Sequence, residues 1–237
     1  DQIDRRSIFI FSGCLPIIFI TLGLFIDHKS GFRERFPSEL QPYLTMYYEG
    51  ITALNFECHL GNDEYILKNC VFGAQSISPD FALIGDSHAG SIHHQMAPVF
   101  SELNKSFLLY AKNGCPPSLG IEGTIHHQRN CPLFNLNVID DLSEKKITTV
   151  VLFSRLTFYL EKDGFLNSYD VREDKNFEHF VVGSSAPIED QFNEKIESMR
   201  AFIKELRRQD IRVLLVEPIP EMGWHIPNQK IHSLMFN

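Results

Sequence analysis

Several features that mark common protein classes are absent from this sequence. Its five cysteines include no CxxC spacing and so no cysteine pair typical of a zinc finger, and no metal site is expected. There is no internal repeat and no low-complexity tract. With 43% hydrophobic and 22% charged residues among 237, the composition is that of a folded chain. The formal net charge of −8 argues against nucleic acid as a partner.

Charge is also absent from residues 7–26, "SIFIFSGCLPIIFITLGLFI". Twenty uncharged residues match the roughly 20 that cross a bilayer core of about 30 Å, so we predict a transmembrane helix within residues 1–26. A signal peptide is one alternative, although this stretch exceeds the roughly 7–15 residues of a signal-peptide core and no small-x-small cleavage site follows. A buried helix of a soluble protein is the other. Residues 27–50 mix charge, proline and aromatics and are interpreted as a tether.

The cysteines bear on the compartment of the remaining chain. Cys14 lies in the predicted span, which leaves Cys58, Cys70, Cys115 and Cys131 with three ways to pair. The two local pairings, Cys58 with Cys70 and Cys115 with Cys131, would close short loops. Because disulfides persist in oxidising compartments, they would place residues 51–237 outside the cytoplasm. Four ordinary buried thiols are the alternative.

From residue 51 onward, apolar runs of strand length alternate with amphipathic segments. Strands are predicted at 81–85, 106–111 and 147–153, with a buried strand within 211–220, and helices at 91–104 and 190–208. This order predicts an α/β fold with a parallel sheet covered on both faces. Ligands bind such sheets at the carboxyl ends of their strands. Ser87, the 112–131 loop, Ser154 with Arg155, and Glu217–Pro220 all follow strands and are expected at this edge.

The segment "FALIGDSHAG" at 81–90 places a serine between a strand and a helix. Amides at a helix N-terminus favour an anion, so an oxyanion forming beside Ser87 would be stabilised there. Gly85 permits the tight turn, and Asp86 can anchor it. His88 is a poor candidate for the base, since neighbouring side chains on a helix diverge. The alternative is that Ser87 only caps the helix.

Gly-Asp-Ser-His after an apolar strand resembles the first sequence block of the SGNH hydrolase superfamily. More narrowly, the chain resembles the SGNH domain at the C-terminus of membrane acyltransferases of the O-antigen acetylase type. This likeness is carried by the uncharged 7–26 stretch, the cysteine pair before "LIGDSHAG", "NGCPP" at 113–117, "NCPLFN" at 130–135 and "VVLFSRL" at 150–156. It implies a three-layer, flavodoxin-like sandwich at 51–237, preceded by the last helix of a membrane domain.

The resemblance also implies an activity, the O-acetylation of a bacterial cell-envelope polysaccharide or lipid-linked saccharide. A membrane domain would take the acyl group from a donor, acetyl-CoA, and this domain, outside the inner membrane in the periplasm, would bind no cofactor of its own. Ser87 matches the nucleophile. Gly114 matches the glycine of the second block, with a plain turn glycine as the alternative. Arg155 stands where an asparagine is usual; it would bind the oxyanion or the glycan, or else pair with an acid.

One departure concerns the catalytic base. SGNH enzymes carry Asp-x-x-His near the C-terminus, and no such motif occurs here, because neither His225 nor His232 has an aspartate three positions earlier. A serine hydroxyl without a base is a weak nucleophile. Since the chain also begins at Asp1 rather than methionine, we expect a piece cut at both ends that is inactive as it stands. An extracytoplasmic carbohydrate esterase and a non-catalytic glycan-binding module are the competing hypotheses.

Overall fold

The computed structural model of the chain describes residues 4–49, 58–60, 65–123, 130–160, 180–183, 187, 191–217 and 226–236. The chain divides into two compact units, one formed by Asp1–Gly50 with His225–Asn237 and the other by Ile51–Trp224. The elements, in chain order, are α1 (Arg5–His28), α2 (Gln41–Glu49), β1 (His59–Leu60), β2 (Val71–Gly73), β3 (Phe81–Gly85), α3 (Ser87–Glu102), β4 (Ser106–Lys112), β5 (Ile121–Gly123), α4 (Cys131–Glu144), β6 (Thr149–Phe153), α5 (Leu156–Leu160), β7 (Phe180–Val182), α6 (Phe192–Arg208), β8 (Arg212–Leu215) and α7 (Ile226–Phe236).

The first unit contains α1, α2 and α7, with short 3-10 turns at Arg33–Arg35 and Ser38–Leu40. Helix α1 contains the uncharged stretch. Of the large apolar side chains described in it, most are more than half exposed, as at Phe9 (76%) and Phe19 (64%). In the part of the chain that the structure describes, no helix combines the length and hydropathy needed to cross a membrane. The predicted span therefore stays a prediction.

The second unit is built around a six-stranded sheet with the order β1-β4-β3-β6-β8, in which these strands pair in parallel. Strand β2 also pairs with β4, in antiparallel orientation. Strands β5 and β7 form a separate antiparallel pair. The predicted α/β fold with a mostly parallel sheet is confirmed.

Helices lie on both faces of this sheet because the side chains of each strand alternate. Ala82 and Ile84 of β3 pack with Phe134 of α4 and Phe202 of α6. Leu83, between them, packs on the opposite face, where α3 contributes Ala89. Burying one leucine, isoleucine or phenylalanine side chain stabilises the fold by about 1.5–3 kcal/mol, so these two clusters hold the three layers together.

The strand predicted at 211–220 forms, but the expectation that it is buried is wrong. Strand β8 pairs with β6 at the end of the strand order, and Leu214 and Leu215 are 48% and 55% exposed. Among the described residues no further strand lies beyond β8. The end of the predicted segment, 218–220, falls outside the described residues.

Candidate active site

Three neighbouring strands bring the predicted site residues to one edge of the sheet. Gly85, the last residue of β3, lies opposite Ala111 of β4 on one side and Phe153 of β6 on the other. Because the three strands run in parallel, the residues that follow them leave the sheet at the same edge. Ser87 follows β3, Gly114 follows β4, and Arg155 follows β6. We call this edge the rim.

Gly85 is needed where β3 meets β6. A Cβ atom at this position would overlap the backbone carbonyl of Phe153 and crowd Ala89. The close approach lets the chain turn directly from β3 into α3, which begins at Ser87. The glycine therefore sets how near the serine lies to the end of β6.

Ser87 is half-buried, so part of the residue is exposed to solvent and to molecules that bind from it. As the first residue of α3, it has a backbone N–H with no acceptor inside the helix. Among the described residues, no side chain hydrogen-bonds to its hydroxyl. The hydroxyl thus lies at a helix N-terminus, where amide dipoles favour negative charge.

Asp86 connects the turn of Ser87 to the end of β6. Its Oδ1 caps α3 by accepting a bond from the backbone N–H of His88 (2.8 Å). Its Oδ2 accepts three bonds, from the hydroxyl of Ser154 (2.8 Å), the backbone N–H of Arg155 (2.9 Å) and the hydroxyl of Tyr159 (2.6 Å). Only 1% of the side chain is exposed. One buried carboxylate thereby fixes the Arg155 turn next to the Ser87 turn.

These bonds decide the charge on Asp86. Burial alone would raise the pKa of its carboxyl group, but the bonds from His88, Tyr159 and the Arg155 amide outweigh burial and hold this pKa below its usual range. For Tyr159, burial and the neighbouring Asp86 charge raise the pKa well above normal. At neutral pH the pair is therefore an ionised carboxylate and a neutral hydroxyl that donates to it.

Arg155 is held at both its backbone and its side chain. The backbone N–H donates to Asp86, and the guanidinium lies over the ring of Phe158, with Cζ 4.5 Å from the ring centroid. Such stacking is favourable for a cation on an aromatic face. The residue is half-buried, so the rim carries a positively charged side chain accessible from solvent.

Gly114 lies in the turn that follows β4. Its φ of +62° is a left-handed conformation that glycine adopts without strain, which fits the turn-glycine interpretation. The turn is anchored behind by the Cys115–Cys131 disulfide and by Asn135, whose amide donates to the carbonyls of Pro116 and Ser118. A role for Gly114 beyond the turn stays a prediction.

Both local disulfides are confirmed. Cys58 is bonded to Cys70 and Cys115 to Cys131, while Cys14 is free and exposed. The first pair links the start of β1 to the start of β2. The second links the turn after β4 to the first residue of α4. The alternative of four buried thiols is excluded.

No histidine among the described residues is placed as a base for Ser87. Nδ1 of His88 lies 3.4 Å from Oδ1 of Asp86. His94 is exposed, whereas His93 is fully buried, with Nδ1 2.5 Å from the carbonyl oxygen of Gly90. His225 and the pair at 126–127 fall outside the described residues. No group of three or more possible metal ligands occurs among the residues that the structure describes.

His59 of β1 is a further buried residue, only 3% exposed, that the sequence did not single out. It packs against Gly90 of α3, because a Cβ atom added to Gly90 would lie only 2.9 Å from Nδ1 of His59. Neither of its ring nitrogens has a hydrogen-bond partner. Burial lowers the pKa of His59, and the charge of Asp86 offsets this only in part. Burial also lowers the pKa of His93. Both imidazoles are therefore neutral at pH 7.

Sequence reasoning also missed Tyr159 and the bonds of Asp86. The sequence signal for Asp86 was its position before a helix, which predicts a cap but not three further donors. Tyr159 lies five residues beyond Ser154 in a segment that carries no motif. Its partner is distant in sequence, so only the pairing of β3 with β6 brings the two together.

Comparison with known proteins agrees with this fold. A family model described as "SGNH domain (fused to AT3 domains)" matches residues 57–237. Among solved structures, the periplasmic domain of a lipopolysaccharide acetyltransferase from Salmonella ser. Paratyphi A matches with a TM-score of 0.50 and 15% sequence identity. The alignment covers 83% of this chain and 66% of that one. None of the curated proteins matches.

Proposed function

Because this chain belongs to the family of SGNH domains fused to AT3 domains, we propose that it is the acyl-delivering domain of an O-acyltransferase, with Ser87 as the nucleophile. The group transferred is an acetyl group, and the acceptor is a hydroxyl of a cell-envelope polysaccharide or lipid-linked saccharide. The similar solved structure comes from an acetyltransferase of lipopolysaccharide, which supports this substrate class.

One observation carries the proposal. Ser87 is half-buried at the first position of a helix, on the same edge of the sheet as Arg155. An oxyanion that forms on an acyl group bound at Ser87 would meet the free N–H of the first helical turn. The Arg155 side chain supplies positive charge on the same rim, for that oxyanion or for the glycan.

The reaction has two steps. In the first, Ser87 Oγ bonds to the acyl carbon as the bond from that carbon to the donor breaks, and the hydroxyl proton passes to a base. In the second, a sugar hydroxyl oxygen attacks the same carbon and loses its proton, while Oγ leaves and regains one. Since no described side chain hydrogen-bonds to Ser87, we expect the chain by itself to be inactive.

The setting of the protein is part of the proposal. The two disulfides favour an oxidising compartment, and the similar domain is periplasmic, which supports a position outside the bacterial cytoplasm. The uncharged 7–26 stretch would attach the domain to the inner membrane. A membrane domain would draw the acyl group from acetyl-CoA.

The test compares two serines of helix α3 in cells that produce the protein. Ser87→Ala should abolish the acetate released from envelope polysaccharide by mild alkali. Ser91→Ala, which removes an exposed hydroxyl bonded to the carbonyl of His88, should leave it unchanged. Normal acetylation in the Ser87 variant would refute the proposal. Polysaccharide that becomes more heavily acetylated in this variant would instead favour the carbohydrate esterase.

A further inference from the structure

Helix α5, which follows Arg155 directly, carries two aromatic side chains that act on this arginine by different routes. The ring of Phe158 lies against the guanidinium. The hydroxyl of Tyr159 donates to Oδ2 of Asp86, the oxygen that also accepts the Arg155 N–H. The short helix therefore determines where both the main chain and the charge of Arg155 lie.

Tyr159 is itself placed by packing that does not involve Asp86. Its ring belongs to a buried cluster with Ile121 of β5 and with Phe180 and Val182 of β7. It packs edge-on against the ring of Phe180, with the two ring centroids 4.6 Å apart. Only 2% of the residue is exposed. The small second sheet thus holds the ring, and the ring presents a hydroxyl at a fixed point behind the rim.

The hydroxyl is the part of Tyr159 that reaches the site. Phenylalanine would keep the ring and its contacts with the cluster but would leave Oδ2 of Asp86 with two donors instead of three. The buried carboxylate could then shift, and with it the Arg155 turn. A displacement of about 1 Å in a group that stabilises a transition state can cost on the order of a hundredfold in rate.

We propose that Tyr159 is a positioning residue of the Ser87 site, which it serves by fixing the Asp86 carboxylate and through it the Arg155 turn. The inference rests on the proposed function, because its effect is read in the reaction of Ser87. Tyr159 does not touch substrate. It sets the geometry of residues that do.

The chain offers a matched control in Tyr110. This tyrosine is also 2% exposed, and its hydroxyl also donates to a carboxylate oxygen, Oδ2 of Asp141, at 2.6 Å. It packs on the α4 and α6 face of the sheet, in a cluster that does not contain Tyr159. Tyr110→Phe and Tyr159→Phe therefore remove the same kind of hydroxyl-to-carboxylate bond from a buried tyrosine, one away from the rim and one behind it.

The experiment uses the full-length protein and p-nitrophenyl acetate as the acyl donor, with acetyl-Ser87 counted by peptide mass spectrometry. Tyr159→Phe should slow acylation about tenfold or more, with little change in the donor concentration that gives half-maximal rate. Tyr110→Phe should leave the rate within about twofold. Equal effects of the two substitutions would overturn the inference, since a loss of stability alone predicts that result.

The pH profile gives a readout that altered folding does not supply. Asp86 faces Tyr159, the amide of Arg155, the side chain of His88 and, at longer range, His59. Removing the Tyr159 hydroxyl removes a bond that holds the pKa of Asp86 low. The acid limb of the Tyr159→Phe profile should therefore move to higher pH, while that of Tyr110→Phe stays in place.

Ser87→Ala separates this inference from the proposed function. If this variant is acylated and transfers acetyl groups as the wild type does, the proposed function fails. If it is inactive while Tyr159→Phe and Tyr110→Phe have equal rates and pH profiles, the proposed function stands and the role of Tyr159 is refuted.

Discussion

Replacing Asp86 tests whether the rim is held together by one buried charge. The carboxylate accepts four hydrogen bonds, one at Oδ1 and three at Oδ2. Asparagine keeps one acceptor oxygen, which can serve the three donors at Oδ2, but its amide faces the His88 N–H with a donor. Bonds to a neutral acceptor are also weaker than bonds to an ionised one.

The size of the effect follows from this count. For Asp86→Asn, one donor left without an acceptor costs about 1–3 kcal/mol, partly offset because a charge is no longer buried, so we expect a loss of about 2 kcal/mol in the free energy of unfolding. Asp86→Ala leaves all four donors without an acceptor. Even at about 1 kcal/mol each, the low end of the same range, we expect a loss of at least about 4 kcal/mol. That loss is a large part of the roughly 5–15 kcal/mol of a typical domain.

Urea unfolding, followed by circular dichroism, measures both losses. Asp80→Ala is the control, because Asp80 forms a surface ion pair with Lys105 at 3.0 Å and such pairs contribute about 0–1 kcal/mol. The predicted order of stability is wild type, Asp80→Ala, Asp86→Asn and then Asp86→Ala. Losses under about 1 kcal/mol for both Asp86 variants would refute the view that this carboxylate joins the two turns.

Two other predictions concern stability. Burial lowers the pKa of His59 below its unfolded value, so the unfolded chain binds more protons as pH falls. The unfolding free energy should therefore decrease from pH 7 toward pH 5, by at most about 1.4 kcal/mol per pH unit for this residue. Urea titrations at several pH values should show a shallower dependence on pH for His59→Gln than for the wild type, and equal slopes would contradict the prediction. Gly85→Ala should lower the melting temperature sharply, because the added Cβ would overlap a backbone carbonyl of β6. Gly183→Ala is the control, because its added Cβ would meet no atom within 4 Å. Similar melting temperatures for the two variants would show that β3 and β6 can separate at no cost.

The sequence signals were strongest where local pattern and burial agree. The apolar run at 81–85 became β3 with the same bounds, and the strand predicted at 106–111 needed only one more residue. Both strands are central and nearly fully buried, so an unbroken apolar run is the expected signature. The two disulfides could also be predicted from local sequence, because cysteines separated by only 12 and 16 residues are the ones most easily brought together.

Two helices and the exposure of one strand differed from the predictions. Helix α4 was not predicted, although Pro132 stands at its start and Phe134, Val138 and Leu142 recur every four residues along one buried face. Helix α3 begins at Ser87, four residues before the predicted helix, because Asp86 caps it there. The exposure of β8 could not be foreseen, since an apolar run looks the same at the edge of a sheet as at its centre.

The direct test of the central claim is the site at which the acyl group is held. The full-length protein is mixed with an acetyl donor in the absence of acceptor polysaccharide, quenched in acid and digested, and its peptides are analysed by mass spectrometry. An acetyl ester on the hydroxyl of Ser87, which disappears when acceptor polysaccharide is added, is the predicted result. Acetyl transfer that proceeds with no ester at Ser87, or with the ester on Ser91 instead, would contradict it.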